Sequence, residues 1–167
     1  QSLAKIEIPA SVSNLLPSSG CTALRDIEVS EANSNYSSVK GVLLNAQQTN
    51  IVWFPMGKQG EYSLPSTITS IGNYAFKECS IETFILPDNM NEIGQGAFMD
   101  SKVKEVKLPA NLKRIPTSTF QGCKQLKVVR IGNKTEAISD YAFDLCPLTD
   151  IYIEATLPPV CSSHAFT

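Results

Sequence analysis

A solenoid of stacked β-rungs is the fold class this sequence predicts, and three observations predict it. The segment running from Leu64-Pro65 through Ile71-Gly72 to Ala75-Phe76 and Cys79 returns as Leu86-Pro87, Ile93-Gly94 and Ala97-Phe98. It returns again as Leu108-Pro109, Ile115-Pro116, Phe120 and Cys123, giving a period of 22 to 23 residues. A period of that length marks a solenoid, because one unit cannot bury its own apolar face whereas stacked copies can. The second observation is that each unit opens on apolar residues two apart, the spacing of one face of a strand, with β-branched side chains common among them. The third is an aromatic at a fixed phase, usually after a small residue, which stacking would turn into a continuous column.

Taken in order, the strand pattern appears as Leu3, Ile6, Ile8; Leu24, Ile27, Val29; Ile81, Phe84, Leu86; Val103, Val106, Leu108; Leu126, Val129, Ile131; and Leu148, Ile151, Ile153. Tyr62 and Leu64 supply a partial further copy. Pro9, Pro65, Pro87 and Pro109 follow these strands, and proline cannot donate the next ladder bond, so it ends each one. A second apolar position follows at Leu15, Ile71, Ile93, Ile115 and Ile138, with Val12, Ile68, Met90 and Leu112 midway and Thr135 breaking that row. Gly72 and Gly94 then suit a turn with an unusual backbone angle. Beyond them come Phe76, Phe98, Phe120 and Phe143, preceded by Ala75, Ala97, Thr119 and Ala142 and followed by Cys79, Ser101, Cys123 and Cys146. At most a single turn of helix is expected around each Ala-Phe.

The period fails between Val29 and Tyr62. Residues 33–38 read as loop, and Val42-Leu43-Leu44-Asn45 and Asn50 through Pro55, joined by a short polar turn, read as a β-hairpin. Residues 33–61 are therefore expected to be an enlarged repeat carrying an inserted hairpin, within a single solenoid over residues 1–167. The irregular first and last units are expected of solenoid ends. A parallel β-helix is the rival architecture. One strand per repeat would favour the open solenoid, and three regular strands the β-helix.

Composition narrows function by exclusion. A net charge of −2 argues against a nucleic-acid footprint, which needs a basic patch. No run approaches the roughly 18 apolar residues of a membrane span, and no secretory leader is visible. The five cysteines show no CxxC pair and no zinc spacing, and three share one phase of the repeat, which favours buried thiols. No cofactor or metal is indicated. His164 is the only histidine, so no Ser-His-acid or Cys-His-acid set follows from spacing. The acids Asp26, Glu28, Glu61, Glu105 and Asp150 could bring two carboxylates together as glycosidases require, but neighbouring acids are common on sheets. Asn35-Tyr36-Ser37 and Asn133-Lys134-Thr135 match the glycosylation pattern, which matters only in a eukaryotic secretory pathway.

The pattern LPxx(I/V)xxIGxxAFxxC resembles the BspA-type leucine-rich repeats. The segment from Tyr36 through Gly41-Val42-Leu43-Leu44-Asn45 and Trp53-Phe54-Pro55 to Leu64-Pro65 is similar to the hairpin-bearing variant of that family. Pro158-Pro159 and Ala165-Phe166 are similar to its C-terminal repeats. The resemblance implies a leucine-rich-repeat solenoid with a parallel sheet on one face. It also implies an extracellular or cell-surface location and a binding or adhesion role without catalysis. The partner it implies is a protein, such as host matrix or another surface protein, with a glycan second.

A binding surface is expected on the outward positions of the strands. One column runs Glu7, Glu28, Ser63, Ile85, Lys107, Arg130, Tyr152, and a second runs Lys5, Asp26, Glu61, Thr83, Glu105, Val128, Asp150. The first changes from acidic to apolar, basic and aromatic, and Arg and Tyr are enriched at interface hot spots. Ile85, Lys107, Arg130 and Tyr152 are therefore the candidate partner-binding residues, set against the plainer reading of a solvated face. Trp53 is a further candidate. Alternation along the hairpin points it away from Val52 and Phe54, where it would be either an exposed anchor or packed on the adjoining loop. A structural spacer within a surface array and a glycan-active enzyme remain the alternative functions.

Overall fold

The computed structural model describes residues 3–60, 62 and 64–167, and it is a β-solenoid with no helix among those residues. At the N-terminal end β1 (Lys5–Ile8) and β2 (Asp26–Val29) pair in parallel, with Ile6 beside Ile27 and Ile8 beside Val29. The hairpin follows as β4 (Val42–Asn45) and β5 (Asn50–Trp53). Part of the expected loop is also strand. Here β3 (Tyr36–Val39) lies antiparallel to β4 and forms the sheet edge, where polar Ser37 and Ser38 are tolerated.

The regular rungs carry two strands each, where the sequence pattern marked one. The first strands are β7 (Thr83–Ile85), β9 (Glu105–Lys107), β11 (Val128–Ile131) and β13 (Asp150–Ile153), which form a parallel sheet in the order β13-β11-β9-β7. The second strands are β6 (Ser70–Ile71), β8 (Glu92–Ile93), β10 (Arg114–Ile115), β12 (Ala137–Ile138) and β14 (Val160–Cys161). They form two parallel ladders, and β5 of the hairpin begins the first of them by pairing with β6. Each second strand has only two residues, too few to show alternation in sequence.

The third side of each rung is turn. Left-handed residues flank the aromatic, at Tyr74 and Glu78, Gly96 and Asp100, Ser118 and Gly122, and Tyr141 and Leu145. This conformation breaks a right-handed helical series, so the amides bond outward to the next rung. Phe76 N donates to Ala97 O at 2.7 Å, Phe98 N to Thr119 O at 2.8 Å, and Phe120 N to Ala142 O at 2.8 Å. Gly72 and Gly94 are not the left-handed positions. Gly94 is required by proximity, since a Cβ there would meet Asn73 N at 2.4 Å and Gly72 C at 2.5 Å.

The core is made of columns. Phe54, Phe76, Phe98, Phe120, Phe143 and Phe166 stack with centroids 4.8 to 5.4 Å apart and ring planes within 20° of parallel. Phe84 closes on Phe76 and Phe98 edge-on. Each fully buried aromatic of this kind contributes on the order of 1.5–3 kcal/mol by burial. Polar intruders are satisfied locally. The Thr119 hydroxyl donates to Pro116 O at 2.7 Å, and Thr135 to Leu112 O at 2.8 Å. All five cysteines are free thiols; Cys79 and Cys123 are buried, whereas Cys161 is exposed. Burial pushes the Cys79 thiol up to about 12. Cys146 is also raised, first by its hydrogen bond with Cys123 and then by burial.

Candidate functional site

The first-strand sheet sets the candidate site. Its register places Ile85 beside Lys107, Lys107 beside Arg130 and Arg130 beside Tyr152. Inward positions Phe84, Val106 and Val129 are buried, so alternation turns this column to solvent. The second column, Thr83, Glu105, Val128 and Asp150, is equally in register. Its member Glu61, and Ser63 of the first column, lie outside the described residues, while Tyr62 and Leu64 pack half-buried against the core.

These side chains are ordered among themselves. Ile85 is 86% exposed and Tyr152 46% exposed. The Arg130 guanidinium lies 4.3 Å from the Tyr152 ring centroid, and its Nε is 3.6 Å from Glu105 Oε1. A cation over an aromatic face contributes about 0.5–1 kcal/mol when exposed, and it holds both groups in one geometry. Sequence reading found the column but not the Glu105 link, which crosses from the neighbouring column by one rung. Beside β7 lies an open groove of about 900 Å³, lined by Tyr62, Leu64, Ile81, Ile85, Pro87 and Lys102 among others. Ile85 thus joins the charged column to an apolar recess. The Tyr62 hydroxyl donates to Val39 O at 3.2 Å, and burial raises its pKa.

Trp53 does not belong to any exposed site. It is 5% exposed and packs with Ile8, Leu24, Ile27 and Leu43. The hairpin is covered on both faces, with Val42, Leu44 and Ile51 in the main core and Leu43 and Trp53 in the N-terminal one. A register irregularity at Leu43/Leu44 interrupts alternation on β5, so Trp53 joins Val52 on the N-terminal core although Ile51, two residues before it, lies in the main one. The contiguous apolar run Val42-Leu43-Leu44 was the signal, since a strand buried on both faces loses its polar alternation. The indole N–H finds no acceptor among the described residues.

The remaining polar groups among the described residues are mostly engaged in local pairs. Ser163 Oγ lies 3.1 Å, and Asp140 Oδ1 3.6 Å, from the same His164 nitrogen, Nδ1. A relay needs the nucleophile and the acid on opposite ring nitrogens, so this exposed cluster lacks that geometry. Glu105 is engaged by Arg130, and Glu28 pairs with Lys5 at 2.7 Å. Among the described residues no group of three or more His, Cys, Asp or Glu side chains could hold a metal ion.

A family model described as BspA type leucine rich repeat region matches the chain in six copies over residues 53–167. No curated protein matches. Among solved structures, a leucine-rich repeat protein from Eubacterium ventriosum superposes with a TM-score of 0.74 at 25% identity, covering 90% of this chain and 49% of its own. The pneumococcal vaccine antigen PcpA superposes with a TM-score of 0.74 at 25% identity, covering 98% and 46%. A leucine rich cell surface protein from Faecalibacterium prausnitzii, at 22% identity and a TM-score of 0.73, shares the fold, with 93% and 49% covered. The chain thus spans just under half the length of each of these structures.

Proposed function

Since the chain belongs to the BspA-type leucine-rich-repeat family, we propose that it is a non-enzymatic, surface-displayed module that binds a protein partner through its first-strand sheet. The observation that carries this reading is the in-register column Ile85, Lys107, Arg130 and Tyr152, with the Arg130–Tyr152 stack and an apolar recess beside Ile85. Exposed aromatic and arginine side chains held in place before binding lose little freedom on docking. An extracellular or cell-surface location is part of the proposal. It is supported by the likeness to a vaccine antigen, a protein of a kind that antibodies reach. Host matrix proteins are the partner class we propose.

The test is capture on immobilised matrix proteins by the purified chain and by a Lys107→Glu, Arg130→Glu, Tyr152→Ala variant. The variant is expected to lose at least about tenfold in affinity, in line with about 1.4 kcal/mol at a hot spot. Equal capture by the two would refute the assignment. A second reading, a spacer within a surface array, is favoured by the six copies of one repeat that make up most of the chain. It predicts concentration-dependent self-association in light scattering, which a monomeric binder would not show.

A further inference from the structure

The net charge of −2 conceals a sharp segregation. Nine of the 14 Lys and Arg residues lie between residues 102 and 134, against one of the 16 Asp and Glu. The remaining residues are correspondingly acidic. Six of the nine cations, Lys102, Lys104, Lys107, Lys124, Lys127 and Arg130, fall on or immediately before β9 and β11, which are adjacent strands.

Two pairs join equivalent positions of the two rungs, and Lys102 and Lys124 stand together at one end of them. Lys107 is in register with Arg130. Lys127 N donates to Lys104 O at 3.0 Å, which sets these residues side by side. Ser101 Oγ is 3.3 Å from Cys123 Sγ, which brings the residues that follow, Lys102 and Lys124, to the same end of the two rungs. Successive rungs are about 4.8 Å apart, and five strand steps from Lys102 to Lys107 span roughly 17 Å. The result is a narrow band of cations running along the strands. All five lysines are exposed. The carboxylates nearby are Glu82, 2.5 Å from Lys104, Glu105, 3.6 Å from Arg130, and Asp150 beside Val128. Exposed pairs of this type contribute only about 0–1 kcal/mol, so an incoming anion can replace them. Lys102, Lys107, Lys124 and Lys127 have no ion pair among the described residues.

We propose that this band binds a linear anionic polysaccharide, carrying sulfate or carboxylate groups, laid along β9 and β11. Three features select that ligand over an acidic peptide or a nucleic acid. Both strands are interior to the sheet, between β7 and β13, so no free backbone edge offers a peptide strand addition. The groove that could seat an apolar side chain is centred beside β7 and meets the band only at Lys102. Five of the six cations are lysines, hydrated point charges on flexible stems, which suit spaced anions better than the fixed two-point grip arginine gives a phosphate. The band shares Lys107 and Arg130 with the column assigned to a protein partner, but Ile85 and Tyr152 take no part in it, so the variants tested substitute only lysines outside that column.

The test is fluorescence anisotropy of the purified chain with a labelled heparin octasaccharide, a hyaluronan octasaccharide, neutral dextran and single-stranded oligothymidine. Saturable binding of at least one of the two anionic glycans is expected, with none to dextran, and the two arms separate sulfate from carboxylate recognition. Raising NaCl from about 50 to about 300 mM should weaken binding on the order of 100-fold if about four cations contact the ligand and each contact releases about 0.7 counterion. Lys102→Gln, Lys124→Gln, Lys127→Gln should weaken it at least tenfold. A control with equal charge loss elsewhere, Lys5→Gln, Lys40→Gln, Lys113→Gln, should stay within about twofold, with circular dichroism confirming that all variants fold. Failure of both anionic glycans to bind at low salt, equal losses in the control, or oligothymidine binding as tight as the glycans would overturn the proposal.

Discussion

Replacing Phe98 by alanine tests the aromatic column that runs through the rungs. Phe98 is 2% exposed, stacks on Phe76 at 4.9 Å and on Phe120 at 5.2 Å, and meets the edge of Phe84 at 5.8 Å. Truncation of a buried Phe costs about 3–5 kcal/mol, and aromatic pairs add roughly 0.5–1.5 kcal/mol each beyond burial. Three partners place Phe98→Ala at the upper end, near 5 kcal/mol. Phe166 has one stacked neighbour, Phe143 at 5.4 Å, and is 45% exposed. Phe166→Ala should therefore cost only about 1–2 kcal/mol. Urea titration followed by far-ultraviolet circular dichroism would measure both. Fluorescence of Trp53, the sole tryptophan and buried in the N-terminal cluster, reports that end separately. If the two variants agreed within about 1 kcal/mol, stacking in the middle of the column would not be the source of the stability assigned to it.

Two further outcomes follow from the geometry. Gly94→Ala places a methyl 2.4 Å from Asn73 N and 2.5 Å from Gly72 C, both backbone; a loss of about 1–3 kcal/mol is expected in the same titration, and no loss would remove close approach as the reason for glycine there. The Cys79 thiol, held near 12 by burial against 9.0 unperturbed, binds its proton more tightly folded than unfolded. Its contribution is complete below pH 9.0 and is lost as pH rises toward 12, up to roughly 4 kcal/mol. Urea midpoints under reducing conditions should thus fall more steeply above pH 9 in the parent than in Cys79→Ala, and parallel curves would refute the linkage.

The parts of this fold legible in sequence are those written in long-range spacing. The strand triplets, the phenylalanine phase and the order of Ile85, Lys107, Arg130 and Tyr152 all follow from one period, because stacking places equal phases side by side. What escaped was local. Two-residue strands such as Ser70–Ile71 are too short for alternation to register. The role of Gly94 depends on the backbone of the rung before it, which no local pattern records. Trp53 was misplaced because a register irregularity interrupts alternation along β5 and because both faces of the hairpin are covered, neither of which the local pattern records. Within the candidate site, the Arg130–Tyr152 contact follows from adjacency in the column, whereas the Glu105–Arg130 link requires the actual side-chain paths.

The phenylalanine column has a consequence for how such a chain can change over generations. Phe76, Phe98, Phe120, Phe143 and Phe166 follow one another at 22 or 23 residues, and each ring meets its successor on nearly the same terms. Unequal recombination that gains or drops one whole period therefore joins a ring to an equivalent ring and leaves no mismatched seam. A gain of half a period would set a turn over a strand. Length is then an inheritable variable that selection can adjust in unit steps. The face of the molecule is recomposed at each step, because every exposed column acquires new neighbours while the interior stays unaltered.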